Sequence, residues 1–167
     1  MPPKTERTDK KEVEAIVLDY LQWGYAGDKR PLNQREPIIL AVGTDQFKLL
    51  ELIAKKDKAI NLHDTVYIGD GERKVVERVK RRVSFAELTP TAKGELEPAV
   101  AEIIAASEER FVEFYNTAVP VSLKMHMLNL LPGFGKKTLT DTLTEREKKP
   151  FESFADIKAR VKTLQKP

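Results

Sequence analysis

The run Leu131-Pro132-Gly133-Phe134-Gly135-Lys136-Lys137 combines the features a backbone needs to hold a phosphate. Gly133 and Gly135 lack a Cβ and tolerate positive φ, so main-chain N–H groups there can approach an anion closely. The chain after them reads as a helix beginning near Lys136. Its first N–H groups would have no partner of their own and would stand at the positive end of the helix dipole. Lys136 and Lys137 add mobile charge, Pro132 stiffens entry to the turn that opens after Leu131, and Phe134 is expected to point inward and lock the two helices together. Such a site reads no bases, because phosphates are the same in every sequence. The bland alternatives are a turn that merely joins two segments, or a contact with another protein. A nucleotide P-loop does not fit: the first glycine at Walker spacing is missing, and Lys137 occupies the Ser/Thr position.

The other concentrated charge is the run Glu72 to Val83. It holds Arg73, Lys74, Arg78, Lys80, Arg81 and Arg82 against Glu72 and Glu77, a local net of +4. The whole chain carries only +3, so any nucleic-acid footprint must come from such clustering. The run is either the basic wall of a groove or a solvated strand face paired with the acidic helix near residues 100–115. Tyr20, Trp23, Tyr25 and Tyr67 are candidate stacking platforms, with core or rim packing as the plainer reading.

Several classes of chemistry are excluded. The chain has no cysteine, so disulfides, thiol catalysis and Cys-based metal sites are absent. His63-Asp64 lacks the further ligands of a metal-dependent hydrolase, His126 being the one other histidine. No nucleophile with a base and no paired carboxylates in a glycine-bounded cleft are apparent, so no enzyme, metal or cofactor is expected. No run approaches the roughly 20 apolar residues of a membrane span, and the N-terminus has no apolar signal region. A cytoplasmic protein with no membrane partner is the expectation.

The elements that must position these groups follow from patterning. Residues 1–12 read as a disordered polar tail. Residues 13–88 contain short β-rich runs: Val13–Trp23, Pro37–Val42, Phe47–Ile53, Asp64–Ile68 and, called by its valines, Glu72–Val83. Asp70-Gly71 suggests a hairpin between the last two. The sum is a small antiparallel barrel. Residues 89–167 read as helical, with a connector at Thr89-Pro90 and an amphipathic helix from Pro98 to Asn116. Ser122 is expected to cap a short helix bearing Leu123, Met127, Leu130 and Leu131 inward. A helix from Lys136 to Arg146 and a last one opened by Ser153-Phe154-Ala155-Asp156 complete the α+β chain.

Helix, then Leu-Leu-Pro-Gly-Phe-Gly-Lys-Lys, then helix resembles a helix-hairpin-helix motif over Ser122 to Arg146. Residues Pro150–Ile157 resemble the start of a second one, but no Gly-x-Gly follows, so it is degenerate or the natural chain continues. Asp64–Gly69, Leu88–Ala92, His126–Lys137 and Glu145–Phe154 together resemble an archaeal family, the domain of unknown function 655, regarded as RNA-binding. That resemblance implies a barrel related to the oligonucleotide-binding fold, a hairpin domain behind it, no catalysis, and RNA favoured over DNA as partner. A helical module docking a protein partner, or a DNA-binding repair or replication accessory protein, is the alternative.

Overall fold

The computed structural model describes residues 9–167. The expected tail lies outside these residues as far as Thr8, but Asp9 to Glu12 are tied to the sheet. Glu12 is buried, and its carboxylate accepts the N–H groups of Asp45 (2.9 Å), Gln46 (2.7 Å) and Lys48 (3.1 Å). Its side chain fills the space above Gly43 where a Cβ would stand 2.1 Å from it. A carboxylate that binds main chain leaves no partner to find in sequence, which is why this segment reads as tail.

Five strands form a curled antiparallel half-barrel: β1 Glu14–Leu21, β2 Ile38–Gly43, β3 Leu49–Ala54, β4 Thr65–Tyr67 and β5 Val76–Arg82, in the order β4-β1-β2-β3-β5. Period-two alternation gives the sheet two apolar faces. Ile16, Leu18, Leu40 and Ile53 meet Leu88, Ala92, Ala99 and Ile103 beside them on one face. Val17, Ile39 and Leu52 cluster on the other with Val66 of β4 and Val76 of β5. Residues from strands at opposite ends of the order therefore share one core cluster, and the sheet curls around that second face. Four antiparallel steps separate β4 from β5, so the two run in the same direction. The expected Asp70-Gly71 hairpin cannot join them. The loop is instead pinned by Tyr67, whose hydroxyl accepts the Gly71 N–H (3.0 Å), and by Arg73 Nε on the Gly69 carbonyl (2.8 Å).

The expected single helix from Pro98 to Asn116 is two helices. α1 runs Pro90–Ala106 and α2 Glu108–Thr117. Thr89-Pro90 is the start of α1 rather than a connector: Thr89 Oγ1 accepts the Ala92 N–H (3.1 Å), and Pro90 stands where a missing N–H costs nothing. The compact units divide at Ile103/Ile104, inside α1, not at Leu88. Packing of Leu88, Ala92, Ala99 and Ile103 against the strands explains the shift. Among the described residues no helix is long and apolar enough to cross a membrane.

His63, at φ 66°, bonds α1 to the β3–β4 loop. Its Nε2 lies 2.6 Å from Glu95, and its Nδ1, sealed from solvent, faces Glu102 at 3.0 Å without hydrogen-bond geometry. The Glu95 hydrogen bond, against the cost of burial and with help from Glu102, raises the imidazole pKa above its ordinary 6.5. A raised folded-state pKa means the imidazolium's stabilisation is fully present below about pH 6.5 and fades as pH rises through the folded value. His63→Gln is expected to lower urea resistance more at pH 5.5 than at pH 9. Equal losses at both would show that the ring acts only by packing.

The second unit holds α2, β6 Pro120–Ser122, β7 Met125–His126, a 3-10 turn Met127–Leu130, α3 Lys136–Lys148 and α4 Phe154–Arg160. The helix expected after Ser122 is not formed. Val119-Pro120-Val121 favours extended chain, and β6 and β7 pair as a two-stranded ribbon whose tip, Leu123, is fully exposed rather than inward. Val112, Tyr115, Leu128, Phe134, Phe151, Ile157 and Val161 form the core. Ser153 caps α4 by accepting the Asp156 N–H (3.0 Å), as its pattern predicts. The chain after α4 makes one turn, Leu164 N–H to Val161 carbonyl, and buries Leu164.

Candidate nucleic-acid interface

The hairpin begins from an anchored turn. His126 Nδ1 accepts the Leu128 N–H (3.1 Å), and Asn129 Oδ1 accepts the His126 N–H (3.0 Å). Asn129 then reaches forward, its Nδ2 donating to the Phe134 carbonyl (3.4 Å). Burial and nearby Arg146 lower the His126 pKa, which keeps Nδ1 free to accept. Neither residue stands out in sequence, although a polar pair three apart before a glycine turn is the pattern of a cap.

Across the turn, Leu131 is half-buried, Pro132 and Gly133 are exposed, and Phe134 is buried with its ring 6.2 Å from that of Tyr115. Phe134 therefore orients the turn and is closed to a ligand. Gly133 sits at φ 79°, which accounts for its glycine. Gly135 does not: its φ is −86°, and a Cβ there would meet nothing within 4 Å. It is the N-cap of the 13-residue α3, with no capping side chain and no acid in the first turn. The first intrahelical bond is Leu139 N–H to the Gly135 carbonyl (3.0 Å), so the N–H groups of Lys136, Lys137 and Thr138 precede the ladder. Among the described residues no carboxylate pairs with the exposed Lys136 or Lys137. Of the helix-hairpin-helix resemblance, the glycine turn and second helix are present, and the first helix is one 3-10 turn.

The basic strand is not a bare cationic wall. Leu52 pairs with Val79 and Glu51 with Arg81, leaving Lys80 as an extra residue in β5. Neighbouring strand residues normally point to opposite faces; this bulge turns Lys80 and Arg81 to the same carboxylate. Glu51 is fully buried, with Lys80 Nζ at 2.8 Å, Arg81 at 2.9 Å and the Tyr25 hydroxyl donating at 3.1 Å. Burial pushes the Glu51 pKa up, but Lys80, Tyr25 and Arg81 outweigh it and the carboxyl lies below its ordinary value. Burial and the same carboxylate push the Tyr25 phenol up to about 12. Arg81 also meets Glu87 (2.6 Å), Arg78 meets Glu36 (2.8 Å) and Arg82 meets Asp9 (3.3 Å). The partners are thus carboxylates around the barrel, not the helix near residues 100–115. Among the cations of the run, Lys74 alone is exposed with no partner among the described residues. Arg73 and Arg82, with Lys48, Tyr67 and Val79, line a cavity of about 540 Å³ at the open side of the half-barrel.

Of the four aromatic candidates, Tyr25 is committed to Glu51 and Tyr67 to the glycine loop. A Cβ on Gly69 would stand 2.4 Å from the Tyr67 hydroxyl. Trp23 is 55% exposed and shares a depression with Tyr20.

The molecule is thus a two-unit α+β protein, a curled antiparallel half-barrel and a helical unit carrying a glycine hairpin. A family model described as a protein of unknown function, DUF655, matches residues 11–167, and the chain belongs to that family. It is 42% identical over 159 residues to the uncharacterized protein MJ0038 of Methanocaldococcus jannaschii, covering 95% of this chain and 71% of that one. The crystal structure of Af1531 from Archaeoglobus fulgidus, of the same family, matches with a TM-score of 0.87 and 46% identity. That match covers 93% of this chain and 86% of the other.

Proposed function

We propose that this protein binds nucleic acid, RNA in preference to DNA, by gripping the sugar-phosphate backbone with Gly133 to Lys137. In this reading the half-barrel receives single strands in the manner of an oligonucleotide-binding barrel. The observation that carries the reading is Gly135. Neither backbone conformation nor packing asks for glycine there, and Ser, Asp or Asn would cap α3 better. Leaving out the side chain keeps N–H groups free for an anion from outside, beside two unpaired lysines. RNA over DNA rests on the family resemblance alone. The reading needs no catalytic group and no cofactor.

A second reading has its own observation. Val119, Val121, Leu123, Met125 and Leu130 are all exposed on or beside the β6–β7 ribbon, an apolar surface that suits a protein partner of the helical unit. The two readings separate in one titration. Labelled single- and double-stranded RNA and DNA are each titrated with the protein by fluorescence anisotropy across a salt series. Backbone binding predicts log K falling linearly with log salt, with a slope of about −0.7 per phosphate contacted on a single strand and −0.9 on a duplex. A preference for duplex DNA would favour the repair-accessory variant. No binding at low salt would leave the protein-docking reading.

A further inference from the structure

The exposed indole of Trp23 lies at the end of the sheet where β1 runs out, on a loop held in shape from within. Gly24, at φ 69°, donates its N–H to the Leu21 carbonyl (3.0 Å), and the Arg35 N–H bonds the Leu32 carbonyl (3.3 Å). Arg30 grips Asp28 through Nε (3.1 Å) and Nη2 (2.8 Å). Trp23 therefore stands at 55% exposure on a braced loop, with Leu32 beside it at 56%. The depression they share with Tyr20 is about 150 Å³, the scale of one aromatic ring system, and its rim carries Arg35, Lys56 and Lys58 against the single acid Asp57.

We infer that this depression is a stacking site for one unpaired nucleobase of a single strand, with the adjoining phosphates on Lys56, Lys58 and Arg35. A planar π-face open to solvent, flanked by the exposed Lys56 and Lys58 and by Arg35, whose Nε is held on the Arg30 carbonyl (2.8 Å), matches the two halves of a nucleotide. A phosphate alone has no use for the indole, and an apolar ligand has none for the lysines. The site deepens the barrel part of the proposed reading and does not use the glycine hairpin. It also places strand contact away from β5, whose cations are paired with carboxylates.

Trp23 is the one tryptophan in the chain, so its emission reports on this site directly. The full-length protein is titrated with adenosine and uridine monophosphates, with single-stranded oligonucleotides and with duplex, following Trp emission and, for labelled oligonucleotides, anisotropy. Single strands are expected to quench the emission at lower concentration than the mononucleotides or the duplex. Trp23→Ala is expected to weaken single-strand affinity about tenfold, the usual worth of one stacked base, with Trp23→Phe recovering part of it. The exposed side chain can be removed without a core cavity, and circular dichroism checks the fold. Oligonucleotide binding with no quenching, or unchanged affinity in Trp23→Ala, overturns the inference while leaving the hairpin reading intact. Quenching that survives Gly135→Val supports the site even if the hairpin reading fails. Mononucleotides that quench while oligonucleotides do not would overturn the single-strand assignment.

Discussion

Gly135→Val is expected to weaken nucleic-acid binding by about tenfold or more while the protein stays folded. A Cβ at residue 135 meets no atom within 4 Å, and its backbone is extended, which a β-branched residue accepts readily. The stability cost should stay within about 1 kcal/mol, the range of N-cap exchanges. The loss of affinity would come from the new side chain standing where the phosphate meets free N–H groups; one charge-assisted hydrogen bond is worth about 1.5–3 kcal/mol. Lys136→Glu with Lys137→Glu should add to it and flatten the salt dependence by about 1.4 to 1.8 in log-log slope, two phosphate contacts' worth. Thermal unfolding and anisotropy on the same preparations check both halves. A folded Gly135→Val protein with unchanged affinity would remove the hairpin as the contact. Gly133→Val is the poorer test, because φ 79° makes any side chain there strained.

Glu51→Gln is expected to do two opposite things. It removes the one buried charge that Lys80, Arg81 and Tyr25 share, and should cost about 2 kcal/mol. The figure lies below the usual cost of breaking a buried pair because Lys80 and Arg81 are 37% and 45% exposed and can return to water. At the same time it frees Lys80 on β5, Arg81 keeping Glu87, so nonspecific binding of nucleic acid at low salt should tighten and its salt slope steepen. Urea unfolding and anisotropy separate the effects. Lost stability with no gain in binding would mean that β5 faces no nucleic acid even when its charge is released. Because the Glu51 carboxyl is depressed in the folded state, its contribution is present above its ordinary pKa of 4.5 and is lost as pH falls through the folded value. The stability gap between wild type and Glu51→Gln should therefore shrink in acid.

The strands were legible because their signals are local. β1, β2 and β3 are each dominated by apolar residues, which the two faces of the sheet bury. Ser153-Phe154-Ala155-Asp156 capped a helix as its spacing demands. The glycine turn and the lysines after it were legible for the same reason. The first helical arm was misread because Leu123, Met127 and Leu130 fall at helical spacing, yet Pro120 and its β-branched neighbours set the chain extended before them. Leu128, the residue that is fully buried, lies off that predicted stripe. Thr89-Pro90 was misread because the same two residues serve a connector or a helix start, and packing against the sheet chooses between them.

Residue type and short-range spacing alone determined the strands β1 to β3, the cap of α4 and the positive-φ glycine turn at Gly133 ahead of α3. Those properties live within a few residues of one another, where sterics and hydrogen-bond geometry decide. Tertiary structure alone decided which charges remain available. The run Arg73 to Arg82 looks like the strongest cationic feature of the chain. A bulge at Lys80 and carboxylates from distant points of the chain, Asp9, Glu36 and Glu51, with the nearby Glu87, nevertheless take up most of that charge. Lys136 and Lys137, a shorter run, are left unpaired. Coulombic pairing acts over a few ångströms of space whatever the separation along the chain, so it becomes visible only once the sheet has brought those residues together.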